Sequence, residues 1–158
     1  MKEIRKIIED YDFNKSFLKC SLVSVVHVEG SSYRRVGARM LVYENGVCLG
    51  GISGGCLEGD ALRKAQKAIY SDSPTVVRYD TSQDDEHQIG VGLGCRGIID
   101  VLITPIDKND PDNQIEVLRK CLDKRYPQVI LTVIEDKSQH KYLGTISNFA
   151  ERKDSPIE

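Results

Sequence analysis

Apolar positions near the start of the chain fall every three or four places: Ile4, Ile7, Ile8 and Tyr11, with charges between them. That spacing predicts an amphipathic helix from Glu3 to Leu18. The pattern then changes. Leu22 to Val28 is β-branched or apolar almost without a break and reads as a buried strand that ends at Gly30. Two more apolar runs, Arg39 to Tyr43 and Val47 to Ile52, are joined by Glu44-Asn45-Gly46, and Asn-Gly between such runs predicts a hairpin. Leu57, Leu62, Ala65, Ala68 and Ile69 mark a second helix, stopped by Ser71-Asp72-Ser73-Pro74. A short strand follows from Thr75 to Tyr79, then a long polar loop from Asp80 to Gly94 and a strand from Ile98 to Ile106. Ile115, Val117, Leu118, Cys121 and Leu122 predict a third helix. Val129 to Ile134 reads as another buried strand, with Tyr142 to Phe149 and Arg39 to Tyr43 as the candidates for sheet edges. Strands and helices do not alternate regularly. The expected class is therefore α+β, a mixed β-sheet with flanking helices in a single domain.

Bulk properties narrow the function more than they define it. With 158 residues the chain is long enough to bury an ordinary core. Its 22 basic and 24 acidic residues leave a formal charge of -2, so no global field favours nucleic acid or an anionic membrane surface. No apolar run approaches the roughly 20 residues that span a bilayer. Met1-Lys2-Glu3-Ile4-Arg5-Lys6 lacks the apolar core of a secretory signal, and the expected location is cytoplasmic. Five cysteines, an odd number, argue for reduced thiols rather than a disulfide framework.

Candidate chemistry is concentrated in three glycine-rich segments. Ser53-Gly54-Gly55-Cys56-Leu57-Glu58-Gly59 stands where a loop enters a helix, with Ser53 or Gly54 as the expected cap. Free N–H groups and the helix dipole make such an end a seat for anions and favour a nearby thiolate. Glu58 competes for that seat, since its own carboxylate can serve the dipole. A plain tight turn with Cys56 buried under the helix is the alternative. Gly30-Ser31-Ser32-Tyr33-Arg34-Arg35-Val36-Gly37, followed by Arg39, groups three arginines with two hydroxyls. Guanidinium forks match phosphate and carboxylate geometry. The bland reading is a solvated loop whose arginines pair with Asp84, Asp85 and Glu86. Gly92-Leu93-Gly94-Cys95-Arg96-Gly97 precedes a strand, so it lacks the context of a dinucleotide fingerprint. It reads as a nest of N–H groups beside a thiol, or as a β-bulge.

Cys48, Cys56 and Cys95 with His27 or His87 offer ligands, yet no closely spaced ligand pair occurs. His27 falls in an apolar strand and reads as a core histidine, while nothing orients His87. Cys20 and Cys121 fall in apolar patterns and read as core.

The segments Gly30 to Met40, Ser53 to Gly59 and Gly92 to Gly97, in this order and spacing, resemble the N-terminal domain of the XdhC/CoxI family. These are maturation factors of molybdenum hydroxylases such as xanthine dehydrogenase, and the likeness covers about residues 20 to 106. The resemblance implies a domain over residues 1–150 and a charged tail at 151–158, without the Rossmann-like C-terminal domain usual in the family. It implies a chaperone rather than an enzyme that turns over. The molybdenum cofactor (molybdopterin) is then bound as cargo, protected while a sulfur ligand is installed, and handed to an apo-molybdenum hydroxylase of the xanthine dehydrogenase type. A cysteine desulfurase is a further implied partner. On this reading Ser31, Ser32, Arg34, Arg35, Arg39 and Ser53 hold the cofactor with the N–H groups of Gly54, Gly55 and Gly94. Glu58 and Arg96 stand beside them, and Cys56 and Cys95 lie near the metal or its sulfur. The family often has proline where Tyr33 and Val36 stand and glycine where Arg96 stands. The rival readings are a thiol-dependent sulfur-transfer or redox enzyme that pairs Cys56 with Cys95, and an interaction module whose glycines only shape loops. An apolar sheet edge needs cover, and a homodimer is the simplest one.

Overall fold

The computed structural model describes residues 2–80, 97–137 and 141–149. In chain order its elements are α1 (Lys2–Asn14), β1 (Cys20–Gly30), β2 (Arg39–Tyr43), β3 (Cys48–Gly50), α2 (Glu58–Ser71), β4 (Thr75–Asp80), β5 (Gly97–Pro105), α3 (Gln114–Leu122), β6 (Ile130–Thr132) and β7 (Ile146–Asn148). The α+β class expected from the sequence is the one observed. Five strands form a sheet in the order β3-β2-β1-β5-β4, and β6 pairs with β7 in a second, two-stranded sheet. Every pairing is antiparallel, which refines the mixed sheet expected.

Alternation along the strands explains how both faces are buried. Val23, Val25, Met40, Val42, Ile99, Val101 and Ile103 face α2 and pack on Ala61, Ala65 and Ala68. Leu22, Leu41 and Tyr43 face the other way, onto Ile7, Ile8 and Tyr11 of α1 and Ile115 and Leu118 of α3. The small alanines let α2 lie close to the sheet, where each fully buried Val, Leu or Ile contributes roughly 1.5–3 kcal/mol.

Local signals account for most boundaries. The hairpin between β2 and β3 turns at Gly46, whose φ of +86° suits a residue without Cβ. Asp72 adopts the left-handed conformation (φ 48°) and ends α2 by donating its N–H to Ala68 O. Asn113 caps α3, its side chain accepting from the N–H groups of Ile115 and Glu116. Helix α1 stops at Asn14, four residues before the expected end, where Phe17 and Leu18 N–H groups both turn back to Asn14 O.

Three expectations are corrected. Arg39 to Tyr43 is not an edge, because β3 covers it; among the described residues the edges are β3 and β4. Val129 to Ile134 is not a buried strand of the main sheet. Only Ile130–Thr132 is a strand, in the small sheet, with Val129 and Ile134 58% and 45% exposed. His27 is not a core histidine: the register of β1 against β5 shifts between Val25 and His27 and turns its ring outward, 3.4 Å from Asp100.

Candidate functional site

Two chain reversals meet beside the main sheet. The first, residues 31–38, leaves β1 at Gly30 and returns to β2. Its root is fixed by the backbone: Gly37 N–H donates to Val25 O at 2.8 Å, Val25 N–H to Ala38 O at 2.9 Å, and Ala38 N–H to Arg35 O at 3.0 Å. Ser32 Oγ accepts from Arg34 N–H at 3.3 Å, which tightens the tip. That tip is open to solvent, with Tyr33 66% and Val36 60% exposed. The second reversal, residues 51–57, joins β3 to α2. A Cβ built on Gly51 stands 3.6 Å from Arg34 Nη2 and 3.3 Å from Glu58 Oε1, and one built on Gly54 stands 3.1 Å from the Tyr33 ring. The two loops are therefore in contact.

Glu58 organises the second loop. Its Oε1 accepts from the N–H groups of Ile52 (3.1 Å) and Ser53 (2.8 Å), and its Oε2 accepts from the Ser53 hydroxyl. Burial opposes ionisation of this carboxyl, but those hydrogen bonds outweigh it and hold the group below its ordinary value. Ser53 Oγ in turn accepts from Gly55 N–H at 3.3 Å and Leu57 N–H at 3.1 Å, and the Cys56 thiol lies 3.5 Å away. The anion expected at the start of this helix is thus supplied by the chain itself. The helix begins at Glu58 with Leu57 as its cap, so Cys56 precedes the first turn instead of lying within it. The half-buried Cys56 packs its sulfur partly against the apolar cluster under α2.

The arginines are held differently from one another. Arg34 Nη1 meets Glu3 Oε2 of α1 at 3.3 Å. Arg35 is exposed and, among the described residues, has no ion-pair partner. Arg39 Nη1 donates to Gly37 O at 2.8 Å, while its Nε is buried without a partner among the described residues. Burial pushes the Arg39 guanidinium below its ordinary value. A buried donor left unpaired costs roughly 1–3 kcal/mol, and a bound anion is one way to satisfy it.

Gly94, Cys95 and Arg96 lie outside the described residues, as do Asp84, Asp85, Glu86, His87 and the tail at 151–158. Gly97, two residues after Cys95, opens β5 against the first loop. A Cβ there collides with Glu29 O and stands 2.8 Å from Ser31 O. Among the described residues no three His, Cys, Asp or Glu side chains converge as a metal site. Cys20 is buried, its thiol pushed up to about 12 by burial and then by Glu44. Cys48 is exposed on β3, and Cys121, half-buried rather than core, has its sulfur 3.6 Å from Asn148 Nδ2. No described helix is long and apolar enough to cross a membrane. Sequence reasoning missed Glu3 and Tyr33. Glu3 stands 31 positions from Arg34 and carries no local signal, whereas Tyr33 is flagged only by its place between Ser32 and Arg34.

Residues 18–80 match the profile of the XdhC and CoxI family. That stretch belongs to the family. It contains both loops, the three arginines, Cys56 and Glu58, and it excludes Glu3 and Cys95. The chain is 33% identical over 138 residues to a probable xanthine dehydrogenase subunit from Bacillus subtilis (strain 168), covering 87% of this chain and 41% of that protein. It is 38% identical over 58 residues to the molybdenum cofactor insertion chaperone PaoD of Escherichia coli (strain K12), 37% of this chain and 18% of that one. A crystal structure of a xanthine dehydrogenase from Bacillus halodurans superposes with a TM-score of 0.69 at 32% identity, over 91% of this chain and 40% of that one. The chain spans about two fifths of the length of both Bacillus proteins.

Proposed function

We propose that this XdhC/CoxI-type chain binds the molybdenum cofactor as cargo and serves its insertion into an apo-hydroxylase of the xanthine dehydrogenase type. The observation that carries the reading is the buried, unpaired Nε of Arg39 at the root of an arginine loop. Four N–H groups of the neighbouring loop, those of Ile52, Ser53, Gly55 and Leu57, are already taken by Glu58 and Ser53, so recognition of a phosphate in this reading falls chiefly to Arg39, Arg34 and the open Arg35. Cys56, in the second loop, supplies a soft ligand apt for thiophilic molybdenum or for a sulfur in transit. Cys95 is the second ligand in this reading. The relative that is a molybdenum cofactor insertion chaperone supports cofactor handling. Maturation by delivery needs no turnover at the site, and a location in the cytoplasm, where thiols stay reduced, suits it.

The test is mass spectrometry and metal analysis of protein purified anaerobically from a molybdenum-replete host. Pterin and molybdenum are expected to co-purify with the wild type. Arg34→Ala and Arg39→Ala should lose ten- to a hundredfold in cofactor affinity, the equivalent of one charged hydrogen bond of about 1.5–3 kcal/mol. Wild-type protein that carries no pterin overturns the proposal. A peroxide-sensitive Cys56 in such pterin-free protein redirects the reading to thiol-dependent sulfur transfer.

A further inference from the structure

We propose that Tyr33 is the stacking platform for the flat heterocycle of the cargo, an inference that rests on the cofactor-binding reading above. Exposure alone does not single this residue out, since Tyr70 is 94% and Phe13 80% exposed on helices far from the loops in sequence. What distinguishes Tyr33 is that its ring is exposed and held at once. One side of the ring, at Cδ2 and Cγ, lies 3.1 and 3.2 Å from the point where a Cβ of residue 54 would stand, so glycine there lets the aromatic rest on the backbone of the second loop. Its two neighbours are anchored as well: Ser32 Oγ accepts the Arg34 N–H, and the Arg34 side chain reaches Glu3 and Gly51. An aromatic ring restrained by its surroundings loses little freedom when a ligand covers it.

The chemistry on either side fits a ligand with a ring at one end and a charge at the other. Arg34 follows Tyr33 directly, and the turn that supports the ring, Ser53 to Cys56, ends in the thiol. A π-face next to a guanidinium in sequence, resting on a turn that leads to a thiol, suits a planar, nitrogen-rich heterocycle that carries a phosphate on a short arm. Aromatic side chains favour offset stacking on such rings, and the contact tolerates differences in ring substitution because every heteroaromatic base has a π-face. The phosphate arm is then read by the arginines and the ring by Tyr33.

Binding of a phosphorylated pterin, followed by quenching of its fluorescence, tests this with the full chain, and inorganic pyrophosphate serves as the probe without a ring. Wild type and Tyr33→Phe should quench and bind alike. Tyr33→Leu should lose quenching and bind the pterin at least about tenfold more weakly, with pyrophosphate affinity unchanged. The thermal midpoint of Tyr33→Leu should stay within a few degrees of wild type, because the ring is on the surface. Wild-type pterin affinity in Tyr33→Leu overturns the stacking role and leaves the proposed function standing. Failure of the wild type to bind any phosphorylated pterin overturns both.

Discussion

The two loops that meet at the site are built on opposite principles. In the second, one carboxylate and one hydroxyl, those of Glu58 and Ser53, take up the N–H groups of Ile52, Ser53, Gly55 and Leu57. In the first, the backbone is tied mainly at its root through Val25, with one bond from Arg34 N–H to Ser32 Oγ at the tip, which carries exposed Tyr33, Val36 and Arg35. A loop saturated from within holds a fixed shape but has few donors left for a ligand. A loop tied mainly at its root keeps most of its side chains available. The pairing suggests a division of labour: the second loop sets the position of Cys56 and supports Tyr33, and the first does the recognising. Rigid support under an adaptable contact surface is a common way of placing function on loops.

Removing the saturation should produce the largest effect. Glu58→Ala deprives Ile52 N–H, Ser53 N–H and the Ser53 hydroxyl of a charged acceptor at once. Hydrogen bonds to charged groups contribute about 1.5–3 kcal/mol each, and water partly replaces a half-buried acceptor, so a loss of roughly 3 kcal/mol is expected in urea unfolding. An unchanged midpoint would mean that Glu58 does not hold this loop. Glu58→Gln isolates the charge. The folded carboxyl titrates below its ordinary value of 4.5, so its stabilisation is complete above that pH and is lost as pH falls through the folded value. The stability gap between wild type and Glu58→Gln should therefore close in acid. Asp12, Asp60 and Asp100 are likewise held below their ordinary values and weaken both proteins alike.

A smaller effect is expected at the root of the first loop. Gly97→Ala puts a Cβ into the backbone of Glu29 and Ser31, where no flexible side chain can yield. Overpacking of this kind costs about 1–3 kcal/mol and must push β5 away from the start of the loop. Thermal unfolding should report the loss, and amide exchange should rise at Glu29 and Ser31 but not at Ile52 and Ser53. Equal exchange in both loops would show that they move as one unit and would erase the distinction between them.

How much of this was visible in the residues alone depends on whether the deciding partner is local. The β2–β3 hairpin follows from Asn45-Gly46, the stop of α2 from Asp72 to Pro74, and the central place of β1 and β5 from their largely apolar runs. Competition between Glu58 and an outside anion was readable too, because carboxylate and helix end are adjacent in sequence. The small sheet was not. Val129 to Ile134 is as apolar as a core strand, but an apolar run does not say which surface covers it, and here its strand Ile130–Thr132 pairs with β7 outside the main sheet. The outward turn of His27 depends on a register shift against β5, which no pattern within β1 encodes. The pairing of Arg34 with Glu3 likewise needs α1 to lie across the sheet, a tertiary fact.

That last pair gives the smallest and most discriminating prediction. Glu3 is the carboxylate that meets Arg34, at 3.3 Å and with both side chains about two fifths exposed. An ion pair this exposed contributes only about 0.2–1 kcal/mol, so Glu3→Gln should leave the unfolding midpoint almost unmoved. Its effect should appear in binding. An anion arriving at Arg34 must displace Glu3, and removing that competitor should tighten pyrophosphate binding by roughly two- to fivefold at low ionic strength, as read by calorimetry. Salt screens exposed charges, so the gain should shrink as ionic strength rises. The same substitution in an Arg34→Ala background should give no gain at all, because nothing is then left to release. Weaker binding in Glu3→Gln would mean that Glu3 orients Arg34 for the ligand instead of occupying its place, and the first loop would then be as internally committed as the second.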